Sequence, residues 1–385
     1  MGHLALIALS FSSLSTINHA RNSASHSTSI MIIFDQGRTG MKKTRLVDIA
    51  AAAGVGIATV ERVLNERGGV KPHTAEKVVL AAKRLGYKGV IPNLYRGTIR
   101  IEVILVRPES PFFSRLNRAF ERIAASLDSS ITVHRTFVEE NDPEKFAAHI
   151  SNSAIRRHAL IVVALDHPKI RESLDQARSA GIEVVQIVSY AEGRDDVFVG
   201  IDNYAAGRTA GFYMSRMLRP LAGSIVAVCH SWAYQIHKER IRGFSDYLAA
   251  CGNPAHRFSE VVFGFDDDVR SAETLTQALR RGTDVVGVYN AGGANLGVGS
   301  VLQRYRQQEK RDFVWIAHEL NDETRRFIVS GLMTLVLDQA PETQARRALD
   351  TVLSRMGVID VPVSRDPVPF LTYTAENIGH FSPPG

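Results

Sequence analysis

Residues 44–88 constrain this chain more tightly than any other stretch, because they spell three short helices in succession with a glycine between the first two. Leu46, Ile49 and Ala50 fall on one stripe of a first helix, and Val60, Val63 and Leu64 on one stripe of a second. Gly54 stands at the turn between them, where a positive φ would strain any side chain. Pro72 and Thr74 open a third helix whose inner face is Val78, Ala81, Ala82 and Leu85. A helix, a tight turn, a second helix and a bracing third form the layout that lays its second helix in the DNA major groove. The stretch predicts an all-α helix-turn-helix DNA-binding domain at 44–90.

The charge distribution agrees. Residues 41–98 hold eleven Lys/Arg against four Asp/Glu, whereas everything after residue 98 is slightly acidic, with 33 against 35. The chain's net charge of +6 therefore belongs to the head. A localised positive field suits phosphate contact and counterion release; the near-neutral remainder suits a different partner. The plain alternative, a solvated charged face, does not explain why the charges coincide with the helix pattern.

At 385 residues the chain has room for two or more further cores, and 45% hydrophobic with 22% charged residues is a globular composition. Its two cysteines, Cys229 and Cys251, support neither a zinc site nor a disulfide framework, and no metal or cofactor is expected. No apolar run reaches the roughly 18–20 residues that span a bilayer. Residues 4–14 are apolar enough to imitate the core of a secretory signal, yet no Lys or Arg precedes them and a DNA-binding head follows. Residues 1–43 read as a disordered extension, with Met41 or Met31 as the natural start and the cytoplasm as the expected location.

Beyond residue 98 apolar strands alternate with helices. Strands are predicted at 100–107, 131–137, 159–165, 181–189, 197–201, 224–229, 261–265, 285–289, 313–317 and 332–338, with helices at 113–127, 143–157, 205–218 and 238–250 among those between them. Helical crossovers between apolar strands mean parallel sheets covered on both faces. So long a stretch exceeds one comfortable core, which predicts two α/β subdomains.

In such sheets ligands bind beyond the carboxyl ends of the strands. Those ends carry Glu109, Ser110, Phe112 and Phe113; Asp166; Asp202 and Asn203; His230, Ser231 and Trp232 with nearby Arg240; Asn290 and Asn295; His318 and Glu319; and Asp338 with Gln339. Carboxylates, amides, an arginine and aromatic faces suit a neutral sugar or polyol, whose hydroxyls both donate and accept. The expected ligand-binding set is Phe112, Phe113, Asp166, Asp202, Trp232, Arg240, Asn290, Asn295, His318 and Gln339. Gly292-Gly293 lacks the Gly-Lys-Ser/Thr of a phosphate loop and reads as a strand-to-helix turn. His230, His237 and His318 have no carboxylate at ligand spacing and read as satisfied or solvent-facing histidines. No nucleophile–base arrangement or paired-carboxylate motif stands out, so an enzyme with a fused regulatory head is disfavoured.

The chain resembles the lactose-repressor (LacI/GalR) family of bacterial regulators from residue 44 to about 375. In the head the resemblance rests on Asp48-Ile49-Ala50, Ala53-Gly54-Val55, Thr59-Val60, Arg62-Val63-Leu64-Asn65 and Leu85-Gly86-Tyr87. In the core it rests on Val199-Gly200-Ile201-Asp202-Asn203-Tyr204-Ala205-Ala206-Gly207 and Arg240-Ile241-Arg242-Gly243-Phe244. It implies a type I periplasmic-binding-protein-like core of two parallel-sheet subdomains. The boundaries expected are a hinge at 91–98, a first subdomain at 99–202, a second at 203–337, a return to the first at 338–357, and 358–385 returning to the second with the tail. It further implies a homodimer on a pseudo-palindromic double-stranded operator, with a small effector acting through closure of the core. Ile57, Ala58 and Arg62 would face bases, and Arg240 would hold the effector's hydroxyls. The full DNA-contacting set expected is Thr44, Ile57, Ala58, Thr59, Glu61, Arg62, Asn65, Lys77 and Leu94.

Four departures from the family pattern stand out. Gly56 replaces the usual serine at the N-cap of the second helix; it still caps, without a side-chain acceptor. Glu61 also replaces a serine, and a carboxylate there either repels phosphate or reads a cytosine amino group. The hinge lacks the Ala-Arg-x-Leu run, leaving Leu94 as the candidate minor-groove lever, and Asn290-Ala291-Gly292-Gly293-Ala294-Asn295 replaces a strand-end aspartate. The resulting expectation is a ligand-responsive, sequence-specific transcription regulator, a repressor of sugar or polyol genes, with no membrane partner. The alternative is a secreted sugar-binding protein of a transport system.

Overall fold

The computed structural model describes residues 44–92, 98–192, 197–218, 221–282, 284–310 and 312–379. The extension at 1–43, Leu94 with most of the hinge, and the end of the tail lie outside them.

Helices α1 (Leu46–Ala53), α2 (Ile57–Leu64) and α3 (Pro72–Arg84) form the head. Ile49, Val60, Val63, Leu64, Val78, Ala81 and Ala82 converge in its core. Gly54, at φ 64°, ends α1 in the left-handed conformation, and the N–H of Val55 reaches back to the Ala50 carbonyl at 3.0 Å. Leu85 corrects its prediction as an inner residue of the third helix. That helix stops at Arg84, and Leu85 is exposed, its carbonyl accepting the Thr44 hydroxyl at 2.5 Å.

The first lobe of the core is a parallel sheet of β1 (Ile99–Leu105), β2 (Ile131–Phe137), β3 (Ala159–Val162), β4 (Glu183–Ile187) and β5 (Val197–Val199), in the order β2-β1-β3-β4-β5. It is covered by α4 (Pro111–Ala124), α5 (Pro143–Ile150), α6 (Pro168–Ser179) and, from far downstream, α12 (Pro341–Arg355). All four open on proline, whose fixed φ and missing N–H suit a helix's first turn. The predicted helix at 143–157 ends early, at Ile150. Arg157 is drawn inward instead, its guanidinium on the Ile150 carbonyl and on the buried Glu102 carboxylate. His149 and Thr136 also bond Glu102, each at 2.8 Å.

The second lobe holds α7 (Asn203–Met217), β6 (Gly223–Cys229), α8 (Gln235–Cys251), β7 (His256–Phe263), α9 (Asp268–Arg281), β8 (Val285–Asn290), α10 (Asn295–Glu309), β9 (Val314–His318), α11 (Asp322–Val329), β10 (Leu335–Asp338) and β11 (Leu371–Tyr373). The sheet order is β11-β10-β9-β8-β6-β7. Strand periodicity separates its two faces. Ile225, Ala227 and Cys229 of β6 pack with Ala210, Met214 and Phe244 of α7 and α8, while Val226 and Val228 pack with Leu275, Val298 and Ile328 of α9, α10 and α11. Helices α7 and α8 approach closely because Gly207 lies against the backbone: a Cβ there would stand 2.0 Å from the Arg240 carbonyl oxygen. Two features depart from the prediction of wholly parallel sheets with a strand over 332–338. Edge strand β11 runs antiparallel to β10, and β10 begins at Leu335 because Gly331 (φ 68°) turns Leu332 and Met333 back onto the Phe327 carbonyl.

Between the lobes the chain passes from β5 to α7, from β10 to α12, and through residues 358–370 to β11. These crossings bring the carboxyl ends of both sheets to face one another.

Candidate functional site

The facing strand ends are built from strained backbone. Among the described residues nine non-glycine positions have positive φ, and seven lie just beyond strands: Arg107, Val188, Phe265, Asp266, Ala294, Glu319 and Ala340. Such conformations cost about 1–3 kcal/mol each and gather at ligand clamps.

Arg107 bridges the lobes. It follows β1 in the first lobe, and its guanidinium pairs with Asp266, which follows β7 in the second. Its Nε stands 3.2 Å from Glu140, and it lies over the Phe113 ring at 5.1 Å and the Tyr234 ring at 5.5 Å. Glu140 in turn meets His230 at 3.2 Å and accepts from the Tyr234 hydroxyl. Burial alone would raise the Asp266 carboxyl, but the Arg107 guanidinium holds it well below the usual range. Further side-chain links cross the cleft. Arg115 on α4 donates to Asp338 at 2.5 Å, Lys238 on α8 to Asp166 at 3.3 Å, and the Tyr190 hydroxyl to Glu239 at 2.6 Å.

Deeper in the second lobe lies Arg240, fully buried on α8. Its Nε donates to Asn203 Oδ1 at 2.8 Å and its Nη1 to the Ala291 carbonyl at 2.9 Å, while its Nη2 is buried with no acceptor. Among the described residues no carboxylate accepts a hydrogen bond from it, and its direct partners are both neutral. His237 Nδ1, His318 Nδ1, Glu319 Oε2 and Gln339 Oε1 are likewise buried without partners. His237, His318 and Glu319 are close enough to Arg240 to feel its charge. Burial drives both histidines well below their ordinary 6.5, so they are neutral at pH 7. Burial, aided by the Asp338 carboxylate, pushes Glu319 up to about 8, so its carboxyl is largely protonated there. Unpaired buried polar atoms are rare because each costs about 1–3 kcal/mol. Here they mix donors and acceptors beside aromatic rings, which is the chemistry that takes up a ligand with several hydroxyls.

The protonated carboxyl has a stability signature. Native Glu319 holds a proton between its unfolded pKa near 4.5 and its folded value of about 8, so stability falls as pH rises through that window. The neutral histidines act oppositely, but only below about 6.5, where the unfolded chain takes up protons. From pH 6.5 to 8 the wild-type melting temperature should therefore decline more steeply than that of Glu319→Gln. Parallel melting curves for the two proteins across that range would refute a protonated Glu319.

In the head, α2 presents Ile57, Ala58, Glu61 and Arg62 to solvent, with Asn65 exposed at its C-cap, while Val60, Val63 and Leu64 face inward. Thr59 is half-buried and Lys77 on α3 is exposed. Asn65 Nδ2 donates to the Glu61 carbonyl at 2.9 Å, which caps the helix end.

Two family models match the chain. Residues 45–92 match bacterial regulatory proteins of the lacI family, and residues 101–356 match the periplasmic binding protein domain. The chain belongs to the LacI family, with a periplasmic-binding-protein core. Among curated relatives, catabolite control protein A of Priestia megaterium is 25% identical over 250 residues, 62% of this chain and 72% of the relative. The HTH-type transcriptional regulator DegA of Bacillus subtilis is 26% identical over 220 residues, 55% and 63% of the two chains. The ribose operon repressor of Halalkalibacterium halodurans is 35% identical over 106 residues, 27% and 32%. Among solved structures, a solute-binding protein of Burkholderia graminis in complex with D-arabinose superimposes with a TM-score of 0.67 at 18% identity, covering 74% of this chain and 99% of that one. One from Mycobacterium smegmatis with bound glycerol gives 0.64 at 21%, covering 73% and 96%. These structural likenesses carry the fold.

Within this LacI-family core the sequence-derived ligand residues divide. Arg240, His318 and Gln339 meet in the buried cluster, and Phe113 lies under Arg107 with Phe112 edge-on to it at 5.1 Å. Asn290 and Asn295, expected as ligand contacts, bond each other and the surrounding backbone in this structure. Asn290 Nδ2 donates to the Gly293 carbonyl and to Asn295 Oδ1, its Oδ1 accepts from Gly292, and Asn295 Nδ2 donates to the His318 carbonyl. Both amides frame the turn from β8 to α10. Asp202 caps α7 through the Ala205 N–H at 2.8 Å, Asp166 is held by Arg171 and Lys238, and Trp232 is exposed, edge-on to Phe263 at 5.2 Å. His230 and His237 are not solvent-facing: they stack in the cleft at 5.6 Å. Arg107, Glu140, His237, Asp266 and Tyr234 were absent from the sequence-derived set.

Proposed function

We propose that this chain is a ligand-responsive, sequence-specific DNA-binding regulator that represses genes of sugar or polyol metabolism. One observation carries the reading: a lacI-type head with an exposed Ile57-Ala58-Glu61-Arg62 face is joined to a two-lobed core whose buried cluster leaves Arg240 Nη2, Glu319 Oε2 and Gln339 Oε1 without partners. The head favours this over a secreted sugar-binding protein. Among the described residues no helix is long and apolar enough to cross a membrane. The working form is a cytoplasmic homodimer on a pseudo-palindromic double-stranded operator, its two heads in successive major grooves about one DNA turn apart.

The mechanism is conformational. A neutral sugar or polyol engages Arg240 and its neighbours and favours one closure state of the lobes. It changes operator affinity only by its preference for that state, typically about 1–3 kcal/mol, and operator changes effector affinity by the same factor. A thermal-shift screen of the full chain against monosaccharides and polyols tests this, since a ligand at 100 times its Kd stabilises by about 2.7 kcal/mol. A hit that also shifts operator affinity supports the reading; a hit without any effect on DNA contradicts it.

The DNA-facing set is proposed as Ile57, Ala58, Glu61 and Arg62 for bases and Lys77 for phosphate. Arg62→Ala should cost about 1–3 kcal/mol on operator and relax specificity at one position. Lys77→Ala should weaken operator and random DNA alike and lower the salt slope by about one. If both variants lose the same affinity on operator and on random DNA, this division of roles is wrong.

A further inference from the structure

We infer that Glu61 reads the 4-amino group of a cytosine in each operator half-site, an inference that rests on the regulator reading above. Glu61 lies one turn beyond Ile57 on the solvent face of α2, about 6 Å along the axis. The other acid near the start of the head, Asp48, is occupied: it accepts from the Arg45 backbone N–H at 2.9 Å, with the Arg45 guanidinium at 3.6 Å. The Glu61 carboxylate has no cationic partner among the described residues, and Arg62, the next residue, projects about 100° away around the helix.

An unpaired carboxylate on a helix that lies in the major groove is repelled by both phosphate rows. It is tolerated only where it meets a donor on a base edge. The major groove offers two amino groups, on cytosine N4 and adenine N6. Adenine N6 sits between two acceptors, its own N7 and the thymine O4, both of which repel a carboxylate. Cytosine N4 has an acceptor on one side only, the guanine O6, and its own C5–H edge on the other. The carboxylate therefore selects cytosine. Arg62 beside it has the donors for guanine O6 and N7, and Ile57 and Ala58 suit thymine methyl groups. The half-site thus contains a cytosine placed by Glu61 and a guanine placed by Arg62.

The test is selection of binding sites from randomised duplexes by the full-length wild type, Glu61→Gln and Glu61→Ser, with the wild-type chain also assayed on a site whose selected cytosine is replaced by pyrimidin-2-one, which lacks the amino group. The wild type should select cytosine at one position per half-site. Glu61→Gln should convert it to adenine, whose N6 and N7 a carboxamide pairs, and Glu61→Ser should leave it unselected, with other positions unchanged. Removing the amino group should weaken wild-type binding roughly 5- to 150-fold. A motif that keeps its cytosine in both variants, or full affinity for the pyrimidinone site, overturns the assignment and leaves the regulator standing. Failure of the wild type to select any motif overturns both.

Discussion

Arg240→Met is expected to abolish the effector response while leaving effector-free operator binding in place. The buried Nη2 is the strongest unpaired donor in the cleft, and a hydrogen bond from a charged group contributes about 1.5–3 kcal/mol. Effector affinity should then fall roughly 10- to 150-fold by calorimetry. The same side chain holds Asn203 Oδ1 and the Ala291 carbonyl, so its loss leaves two buried acceptors bare at about 1–3 kcal/mol each. The variant should melt earlier as well. Arg240→Lys separates the two effects, since it keeps the charge but loses the planar fork that serves Asn203 and Ala291 while aiming a third donor into the cleft. If Arg240→Met binds the effector within twofold of wild type, the arginine is a pillar of α7 and α8 and not a ligand contact.

That double role marks where the sequence was legible. The head could be read because its signals are local: Gly54 between two apolar stripes, and Pro72 opening the third. The strand ends could be read because carboxyl termini of parallel strands collect ligands whatever the fold's details, which placed Arg240, His318 and Gln339 among the candidates. What side chains do at those ends depends on partners far away in the chain. Asn290 looked like a ligand contact because nothing in the sequence tells that its amide closes on Gly293 and Asn295. Arg107 looked like the end of a strand, although Asp266, 159 residues further on, completes it. The strained φ values that mark the cleft leave no trace in residue type, since alanine, valine and phenylalanine adopt them alongside Asp266 and Glu319. His237 read as ordinary because only the folded lobes remove its solvent.

Arg107 should control how readily the cleft opens. Removing one partner of a buried ion pair costs about 3–5 kcal/mol, because the remaining charge stays buried and uncompensated. In Arg107→Ala the burden would fall on Asp266, which the guanidinium keeps ionised, and on Glu140, which His230 and the guanidinium together keep ionised. Opening the lobes relieves it by admitting water, so the cost acts on closure more than on the fold. A shift of about 3–5 kcal/mol changes the open-to-closed ratio by roughly 150- to 4,000-fold. Small-angle scattering of the effector-free variant should therefore show a larger radius of gyration than wild type. Effector binding should weaken, since each binding event must now also drive closure. Because the pair is buried, raising the salt concentration should not reproduce the effect in the wild type. Arg107→Met combined with Asp266→Asn removes charge from both lobes together and should recover part of the compaction. If Arg107→Ala scatters like the wild type and binds effector equally well, the lobes are held by the Arg115–Asp338 and Lys238–Asp166 links instead, and Arg107 only fills the space between Phe113 and Tyr234.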